Sequence, residues 1–405
     1  MAVTMSLFAR APATGRRPEA ELLLCCARSY MDGANAERIK ALLRDDIDWV
    51  YLSGTALLHG MMPLLYRNLH TTCPEAVPTA VLNPLQHHFH TNVARNALFA
   101  EELLRLLNLL EAHGIRALPY KGPVLATLAH GSLSLREFYD LDILVPRADI
   151  LRARDLFVSQ GYRESIPLTR AQEATYLRSH HDYTLIRHDG MVTVELQWGV
   201  TQRYFSCPIG FDSLWERREK ISFAGRTIVS PCPEDLLLVL CVHGSKHLWR
   251  RLGWICDVAE LIRAQQDIDW EWGFAQARAL GGERMLFLGL FLAKTLLGVP
   301  LPPAVLQKLQ TDPAVPSLAA QVQERLFGEV DDVTRAFESY LFCLRVRERV
   351  QDKLRYGLRV VLTPYLPDLV LLPLPSSLAF AYYLLRPIRL IRDYGLMPLK
   401  RSLGF

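Results

Sequence analysis

Residues that favour β-strands are confined to one part of this chain, between about residues 115 and 200. Before this part, apolar residues recur at helical spacing, for example at Leu103, Leu106 and Leu110, and helical spacing returns after it. A chain of 405 residues with one strand-rich segment can form only one small sheet, so most of its core must come from helices. We therefore predict an α+β protein in which a small mixed sheet is embedded between helical N-terminal and C-terminal regions.

The strand-rich segment shows a clear order of elements. Lys121-Gly122-Pro123 follows a short apolar run and predicts the start of a helix, because proline is favoured in a first turn. His188-Asp189-Gly190 lies between two β-prone runs and predicts a hairpin, because Asp-Gly is a strong signal for a tight turn. The predicted strands are Ile115–Tyr120, Leu141–Val145, Tyr183–Arg187 and Val192–Trp198.

Changes of composition divide the chain into five parts. Helical periodicity begins near residue 21, strand-forming runs begin after His113-Gly114, and helical periodicity returns beyond Pro231. We expect a flexible tail at 1–20, a helical N-terminal region at 21–113, an α/β region at 114–225, a helical domain at 226–355 and a Pro-rich basic and apolar helical tail at 356–405.

Composition excludes several classes of protein. Half of the residues are apolar and 22% are charged, as in globular rather than disordered chains. The longest apolar run, Met285–Ala293, has nine residues, whereas a membrane-spanning helix needs roughly 20. A net charge of +4 gives no strong signal for a nucleic-acid partner. The eight cysteines contain no C-x-x-C pair and no N-terminal run resembles a signal peptide, so we expect a reduced, cytoplasmic protein.

The C-terminal tail combines apolar side chains with arginines. Such a face could contact a membrane surface weakly. The interpretation that we favour is a helix packed on the body of the protein with its arginines in solvent. The residues concerned are Phe380, Tyr383, Leu384, Arg386, Ile388, Arg389 and Arg392.

Three Asp-x-Asp triplets occur, and their contexts differ. Asp46-Ile-Asp48 and Asp267-Ile-Asp269 precede helical runs, which predicts helix N-caps. Asp140-Leu-Asp142 instead leads into the apolar run Ile143–Val145. Since residues two apart on a strand point to the same face, Asp140 and Asp142 should project side by side. Two carboxylates this close repel each other, and a divalent cation between them is a common solution.

Three further positions carry charge in unusual surroundings. Glu195 lies inside an apolar strand, where a charge is costly unless it is paired, metal-bound or exposed. Lys121-Gly122 lies between a strand and a helix, where glycine lets a phosphate approach the backbone; an ordinary turn with a solvated lysine is the alternative. Arg136 is a candidate cation for a triphosphate, or else a surface residue or the ion-pair partner of an aspartate.

A polar segment follows in the C-terminal helical region. Its residues recur at helical spacing, so Lys246 and His247 could contact a nucleotide from that side, or simply pack. Zinc is disfavoured, since no H-E-x-x-H arrangement and no third ligand is evident. The other histidines, His87, His88, His90 and the pair His180-His181, are expected at the surface or at caps. The segment comprises His243, Lys246, His247, Arg250, Trp254 and Asp257.

Taken together, this order of motifs resembles the nucleotidyltransferase fold superfamily, which includes DNA polymerase beta and the aminoglycoside nucleotidyltransferases. More closely, it is similar to a bacterial family of uncharacterised nucleotidyltransferase-like proteins. The resemblance extends over about residues 20–300. It is carried by Lys121-Gly122, Arg136, Asp140-Leu-Asp142-Ile-Leu-Val145, Val194-Glu195-Leu196 and His243-Gly-Ser-Lys246-His247-Leu-Trp249.

The resemblance implies transfer of an NMP group from an NTP to an acceptor hydroxyl or phosphate, with release of pyrophosphate. Asp140, Asp142 and Glu195 would be the catalytic and metal-binding residues for Mg²⁺ or Mn²⁺, in a two-metal mechanism. Nucleotide would be bound by Lys121, Gly122, Arg136, Lys246 and His247. The acceptor would be a small molecule or a protein.

Two other functions stay open from the sequence. A metal-dependent glycosyltransferase also uses Asp-x-Asp, although about 85 α/β residues are few for a sugar-nucleotide domain. A catalytically silent nucleotide-binding or scaffolding protein is the other alternative, and the presence of all three carboxylates argues against it.

Overall fold

The computed structural model describes residues 17–202, 205, 207–328, 335–371, 374, 378 and 380–390. Residues 1–16 of the expected flexible tail lie outside the described residues, and so does Arg392 in the C-terminal tail. Five helices form the N-terminal region, as predicted. They are α1 (Pro18–Cys26), α2 (Gly33–Leu42), α3 (Trp49–His59), α4 (Met62–Thr72) and α5 (Thr79–Ala112).

The α/β part contains a mixed sheet and its connecting helices. Its strands are β1 (Leu118–Pro119), β2 (Leu141–Leu144), β3 (Tyr162–Glu164), β4 (Asp182–Arg187) and β5 (Thr193–Gln197). The sheet order is β1-β2-β5-β4-β3. Only β2 and β5 run parallel; the other neighbours are antiparallel. The helices of this part are α6 (Gly122–His130), α7 (Ile150–Ser159), α8 (Arg170–Ser179) and α9 (Phe211–Glu216).

A second hairpin closes the α/β part. Strands β6 (Glu219–Phe223) and β7 (Arg226–Ser230) pair antiparallel as a separate two-stranded sheet. The boundary expected at residue 225 therefore lies in the turn of this hairpin, and strand structure continues to Ser230.

Helices form the remainder of the described chain. They are α10 (Pro233–Lys246), α11 (Leu252–Ala264), α12 (Trp270–Leu280), α13 (Glu283–Leu297), α14 (Pro303–Leu309), α15 (Ala314–Phe327), α16 (Arg335–Arg345), α17 (Val350–Leu362), α18 (Leu366–Leu371) and α19 (Ala381–Leu390). The predicted α+β architecture, a small mixed sheet between helical regions, is confirmed.

The turn and the helix N-caps predicted from short motifs are present in the structure. The β4–β5 hairpin forms with Gly190 at φ 74°, a conformation that favours glycine. Asp48 accepts the amide of Tyr51 at 2.9 Å, and Asp269 accepts that of Trp272 at 3.0 Å. Both predicted N-caps are therefore confirmed.

The buried apolar residues form two cores. One core holds the sheet residues Ile143 and Leu196 together with the second half of α5, represented by Leu106. The other joins the N-terminal helices to the C-terminal ones, since Leu65 of α4 and Leu288 of α13 belong to it. The N-terminal and C-terminal helical regions, which are far apart in sequence, thus share one core.

All eight cysteines are buried thiols without disulfide bonds. Within the described residues, no helix combines the length and the apolar character that crossing a membrane requires. Near the C-terminus, α17 exposes Val350, Leu354 and Leu358 along one side, and α19 exposes Leu384 and Ile388.

Candidate active site

Two carboxylates face each other across the parallel strand pair. Asp142 of β2 is the register partner of Glu195 of β5. The Nε2 amide of Gln197 donates to both, at 2.9 Å to Asp142 Oδ1 and 2.8 Å to Glu195 Oε2. The Tyr120 hydroxyl donates to Gln197 Oε1, which fixes the orientation of this amide. The sheet therefore holds two acidic side chains together through one bridging amide.

Asp140 adds a third carboxylate immediately before the first residue of the same strand, two residues before Asp142. Burial and the neighbouring Asp142 charge raise the pKa of Asp140 to about 6. Burial and the same Asp142 charge raise the pKa of Glu195 to about 7. Both shifts have the direction expected of acidic groups that are desolvated and crowded by like charge. The site thus concentrates negative charge that a cation would stabilise.

Lys121 supplies one positive charge to this group. Its Nζ lies 3.1 Å from Asp142 Oδ1, and its side chain is 13% exposed. Burial acts to lower the pKa of Lys121, but the charges of Asp142 and Glu195 outweigh it and raise the pKa above its usual value. Lys121 is therefore a permanently charged cation next to the carboxylates.

Gly122 brings the start of α6 against the Asp-x-Asp strand. Its φ is +52°, and a Cβ built there would lie 3.0 Å from the carbonyl oxygen of Asp140. Any larger residue would be strained and would press on the backbone that carries Asp140. Pro123 has no N–H and the Val124 and Leu125 amides donate to the carbonyl of Lys121. Attraction for an anion at this turn therefore comes mainly from the charge of Lys121.

Arg136 is held by a carboxylate from the helical domain. Its Nε and Nη2 donate to the two oxygens of Asp257 at 2.8 and 2.9 Å, and His130 Nε2 lies 3.0 Å from Asp257 Oδ1. Burial opposes the ionisation of Asp257, yet the Arg136 charge and the His130 contact lower its pKa to about 2. Arg136 thus joins the sheet region to α11, and it also lines the cavity described below.

The far wall of the site comes from the end of α10. The prediction that helical spacing continues from His243 to Asp257 is wrong, because Leu248 and Trp249 adopt positive φ values of 60° and 51° and end the helix. The Trp249 ring folds back onto Gly244, where a Cβ would lie 2.4 Å from it. Such strained residues often mark functional sites. The break brings Trp254 of α11 beside the imidazoles of α10.

His243 and His247 pack against each other and against Trp254. Their ring centroids are 4.5 Å apart, and each lies 5.3 Å from the indole. Burial lowers the pKa of both histidines, that of His247 to about 3, so both imidazoles are neutral. Burial and the nearby Lys121 charge lower the pKa of Lys246 to about 8. Lys246 has no carboxylate within ion-pair distance among the residues that the structure describes.

Two histidines expected at the surface or at caps, His180 and His181, are buried. His180 and His181 are 5% and 7% exposed. His181 Nδ1 lies 2.8 Å from Asp182 Oδ1 at the start of β4. By contrast, His87 and His90 of α5 are exposed, as expected. His180 is the C-cap of α8, which is one of the positions expected for it. The prediction is wrong for His181, which is buried just before β4.

These groups surround one cavity of about 340 Å³. All eight residues that the sequence analysis proposed as site residues line it: Lys121, Gly122, Arg136, Asp140, Asp142, Glu195, Lys246 and His247. Sequence reasoning missed Gln197 and Asp182, which also line it. Gln197 could have been found, since it lies two residues after Glu195 on the same strand face, the same spacing that relates the two aspartates.

The donor atoms fit a hard divalent cation, because Asp140, Asp142 and Glu195 offer only carboxylate oxygens. Within the described residues, however, no three His, Cys, Asp or Glu side chains form a ready set of metal ligands. Asp142 and Glu195 instead bind the amide of Gln197, and Asp142 also binds Lys121. The carboxylates could therefore hold a metal once ligand or substrate oxygens complete the set.

A mixed sheet with the Asp-x-Asp motif beside a Glu-bearing strand, faced by a helical wall, is consistent with a nucleotidyltransferase-like protein. A family described as "Uncharacterised nucleotidyltransferase" matches residues 45–298, which is more than half of the chain. The chain therefore belongs to this family. No curated protein and no solved structure gave a significant match.

Proposed function

We propose that this protein transfers an NMP group from an NTP to an acceptor hydroxyl or phosphate and releases pyrophosphate. The observation that carries the proposal is the register of Asp142 with Glu195 across the β2–β5 pair, with Asp140 beside them in the same cavity. The family to which the chain belongs supports nucleotidyl transfer as the class of reaction.

The cations of the cavity would bind the triphosphate. Lys121 is charged at any physiological pH, and Lys246 lies on the opposite wall without a carboxylate partner among the described residues. A triphosphate between them would gain charge-assisted hydrogen bonds from both sides. Its charge would also favour the protonated form of Lys246.

Glu195 is suited to accept a proton. With a pKa near 7, it exchanges a proton readily at physiological pH. For a hydroxyl acceptor, the oxygen would attack the α-phosphorus and its proton would pass to Glu195. The bond between the α-phosphorus and the bridging oxygen would break, and pyrophosphate would leave with that electron pair. Gln197 would hold Glu195 and Asp142 in place during this step.

Asp140, Asp142 and Glu195 would hold Mg²⁺ or Mn²⁺, which neutralises phosphate charge when it is bound. Because metal and positioning supply the activation, no serine or cysteine nucleophile is required.

A second candidate is a nucleotide-binding protein without turnover. One observation favours it: Lys121 already binds Asp142, at 3.1 Å, and this ion pair must rearrange if Asp142 is to bind a metal. Such a protein would bind NTP through the same cations but would leave the α-phosphorus intact.

The experiment is to incubate the full-length protein with Mg²⁺ and NTPs labelled at the α- or the γ-phosphate, with cell-derived small molecules and proteins as acceptors. We expect the α-label to move to an acceptor and the γ-label to appear in pyrophosphate. Asp142→Asn should reduce this transfer at least about 100-fold. Asp46→Asn is the matched control, because Asp46 is an exposed aspartate of another Asp-x-Asp triplet.

The other outcomes identify the alternatives. Binding of NTP without release of pyrophosphate would identify the silent nucleotide-binding protein. Consumption of a sugar nucleotide in place of an NTP would identify a glycosyltransferase. Unchanged transfer by Asp142→Asn, with its fold intact by circular dichroism, would overturn the assigned carboxylate roles.

A further inference from the structure

A second cavity adjoins the candidate active site. It has a volume of about 310 Å³, within the range of pockets for small molecules, roughly 300–1,000 Å³. The two cavities share Gln202, Lys246 and His247, so a molecule in one borders on a molecule in the other. Its outer wall comes from α16, α17 and the residues that follow them, including Tyr365.

The charge of this second cavity is one-sided. The described residues that line it include Lys246, Arg250, Arg359 and Arg386, and none of them is Asp or Glu. Arg386 is partly neutralised, since its Nη1 lies 3.6 Å from Asp368 Oδ2. Arg250 donates to the hydroxyl of Ser339 at 3.3 Å and has no carboxylate partner within the described part of the chain. The cavity therefore favours an anion and would repel a cationic ligand.

Two buried polar atoms of its lining residues have no hydrogen-bond partner among the residues that the structure describes. They are Nε2 of His180 and Oε1 of Gln202. His180 is 5% exposed, and its other ring nitrogen lies 2.9 Å from the hydroxyl of Ser179. Leaving a buried polar group unsatisfied costs about 1–3 kcal/mol, so such atoms commonly mark where a ligand or water binds. These atoms are suited to hydroxyl groups of a ligand.

Aromatic side chains complete the lining. Tyr340, Tyr356 and Tyr365 all face this cavity, and the ring of His180 stacks near Tyr365 at 5.8 Å and an interplanar angle of 17°. Flat apolar surfaces of this kind suit a ring or a carbon skeleton. The lining thus combines cations, unsatisfied polar atoms and aromatic faces.

We infer that this second cavity binds the acceptor of the transfer reaction, and that the acceptor is a small phosphorylated molecule with hydroxyl groups on a ring. That the bound molecule is the acceptor rests on the proposed function, whereas the presence of an anion-binding site does not. Several cations that line one cavity match a phosphate dianion better than a single carboxylate charge. The volume of about 310 Å³ suits a small molecule.

The same cations could instead extend the site for the triphosphate of the NTP. The position of Arg250 argues against this, since it lines the second cavity but not the first. The first cavity has its own cations, Lys121 and Arg251. A substitution at Arg250 therefore distinguishes the two interpretations.

The test is calorimetric titration of the full-length protein with inorganic phosphate, without metal or NTP, followed by a separate titration with ATP and Mg²⁺. We expect Arg250→Gln and Arg359→Gln each to weaken phosphate binding at least about 10-fold. Lys121→Gln should retain phosphate binding, and Arg250→Gln should retain ATP binding. Arg218→Gln is the control, because Arg218 is exposed and outside both cavities.

Three results would overturn the inference: no phosphate binding by the wild-type protein at millimolar concentration, loss of phosphate binding only in Lys121→Gln, or an equal loss of ATP binding in Arg250→Gln. Thermal unfolding establishes that each variant is folded, and the second arginine variant serves if one is not. Because the titration needs no turnover, failure of nucleotidyl transfer and failure of this site are distinguishable.

Discussion

Asp142 and Glu195 are direct register partners in a parallel strand pair, and the amide of Gln197 donates to both. Like charges opposite each other on neighbouring strands destabilise a sheet. A sheet selected only for stability would not place them there. This arrangement indicates that stability has been given up for binding or catalysis.

Glu195→Gln should stabilise the free protein at pH 8 while abolishing transfer. The raised pKa values mean that Glu195 and Asp140 bind protons in the folded protein at pH values where they would be ionised in the unfolded chain. Stability is therefore lost as the pH rises from about 4 through 7. The substitution removes the part of this penalty that belongs to Glu195, roughly 1–3 kcal/mol. Urea unfolding of the wild-type protein and the variant at pH 5 and pH 8 measures the difference in stability. If the variant is less stable than the wild type at pH 8, Glu195 has a structural role instead.

Affinity for NTP should fall as the pH rises through 8, because Lys246 is charged below its pKa of about 8 and neutral above it. Lys246→Arg should keep its affinity from pH 7 to pH 9, since arginine stays charged. Lys246→Gln should bind weakly throughout. Calorimetric titration of each protein with NTP at three pH values measures these affinities. Glu195 also gains charge in this range, so a wild-type pH dependence that survives in Lys246→Arg would assign it to Glu195.

Gly122→Ala should reduce activity more than strain alone explains. Gly122 has φ +52° and a Cβ there would meet the carbonyl of Asp140, whereas Gly131 has φ +66° with nothing within 4 Å. Both substitutions cost about 1 kcal/mol or more through the backbone. Only Gly122→Ala should also displace Asp140 and lower kcat. Equal kinetic effects of the two variants would contradict this packing role.

Arg136 and Asp257 should behave as one energetic unit. Removing either partner leaves a buried charge uncompensated, which typically costs about 3–5 kcal/mol. We expect Arg136→Met and Asp257→Leu to be strongly destabilising singly and to show a favourable coupling in the double variant. A double-mutant cycle by urea denaturation measures this coupling free energy. Additive effects would contradict the pairing, and a raised KM for NTP in Arg136→Met alone would add a nucleotide contact.

The sequence predicted the features that local interactions determine. The Asp189-Gly190 turn specified the β4–β5 hairpin, and Asp48 and Asp269 specified helix starts, because each forms its hydrogen bonds within a few residues. Alternation along a strand predicted that Asp140 and Asp142 share a face; both line the cavity, although β2 begins only at Leu141.

Only the tertiary structure decided which distant elements meet. The parallel pairing of β2 with β5 sets Asp142 against Glu195, and Arg136 meets Asp257 across 121 positions of sequence. The break at Leu248–Trp249 depends on the packing of Trp249 against Gly244, which no helical periodicity reveals. Such contacts depend on the burial of whole faces and on register, so their energies are shared among many residues and leave no short pattern in the chain.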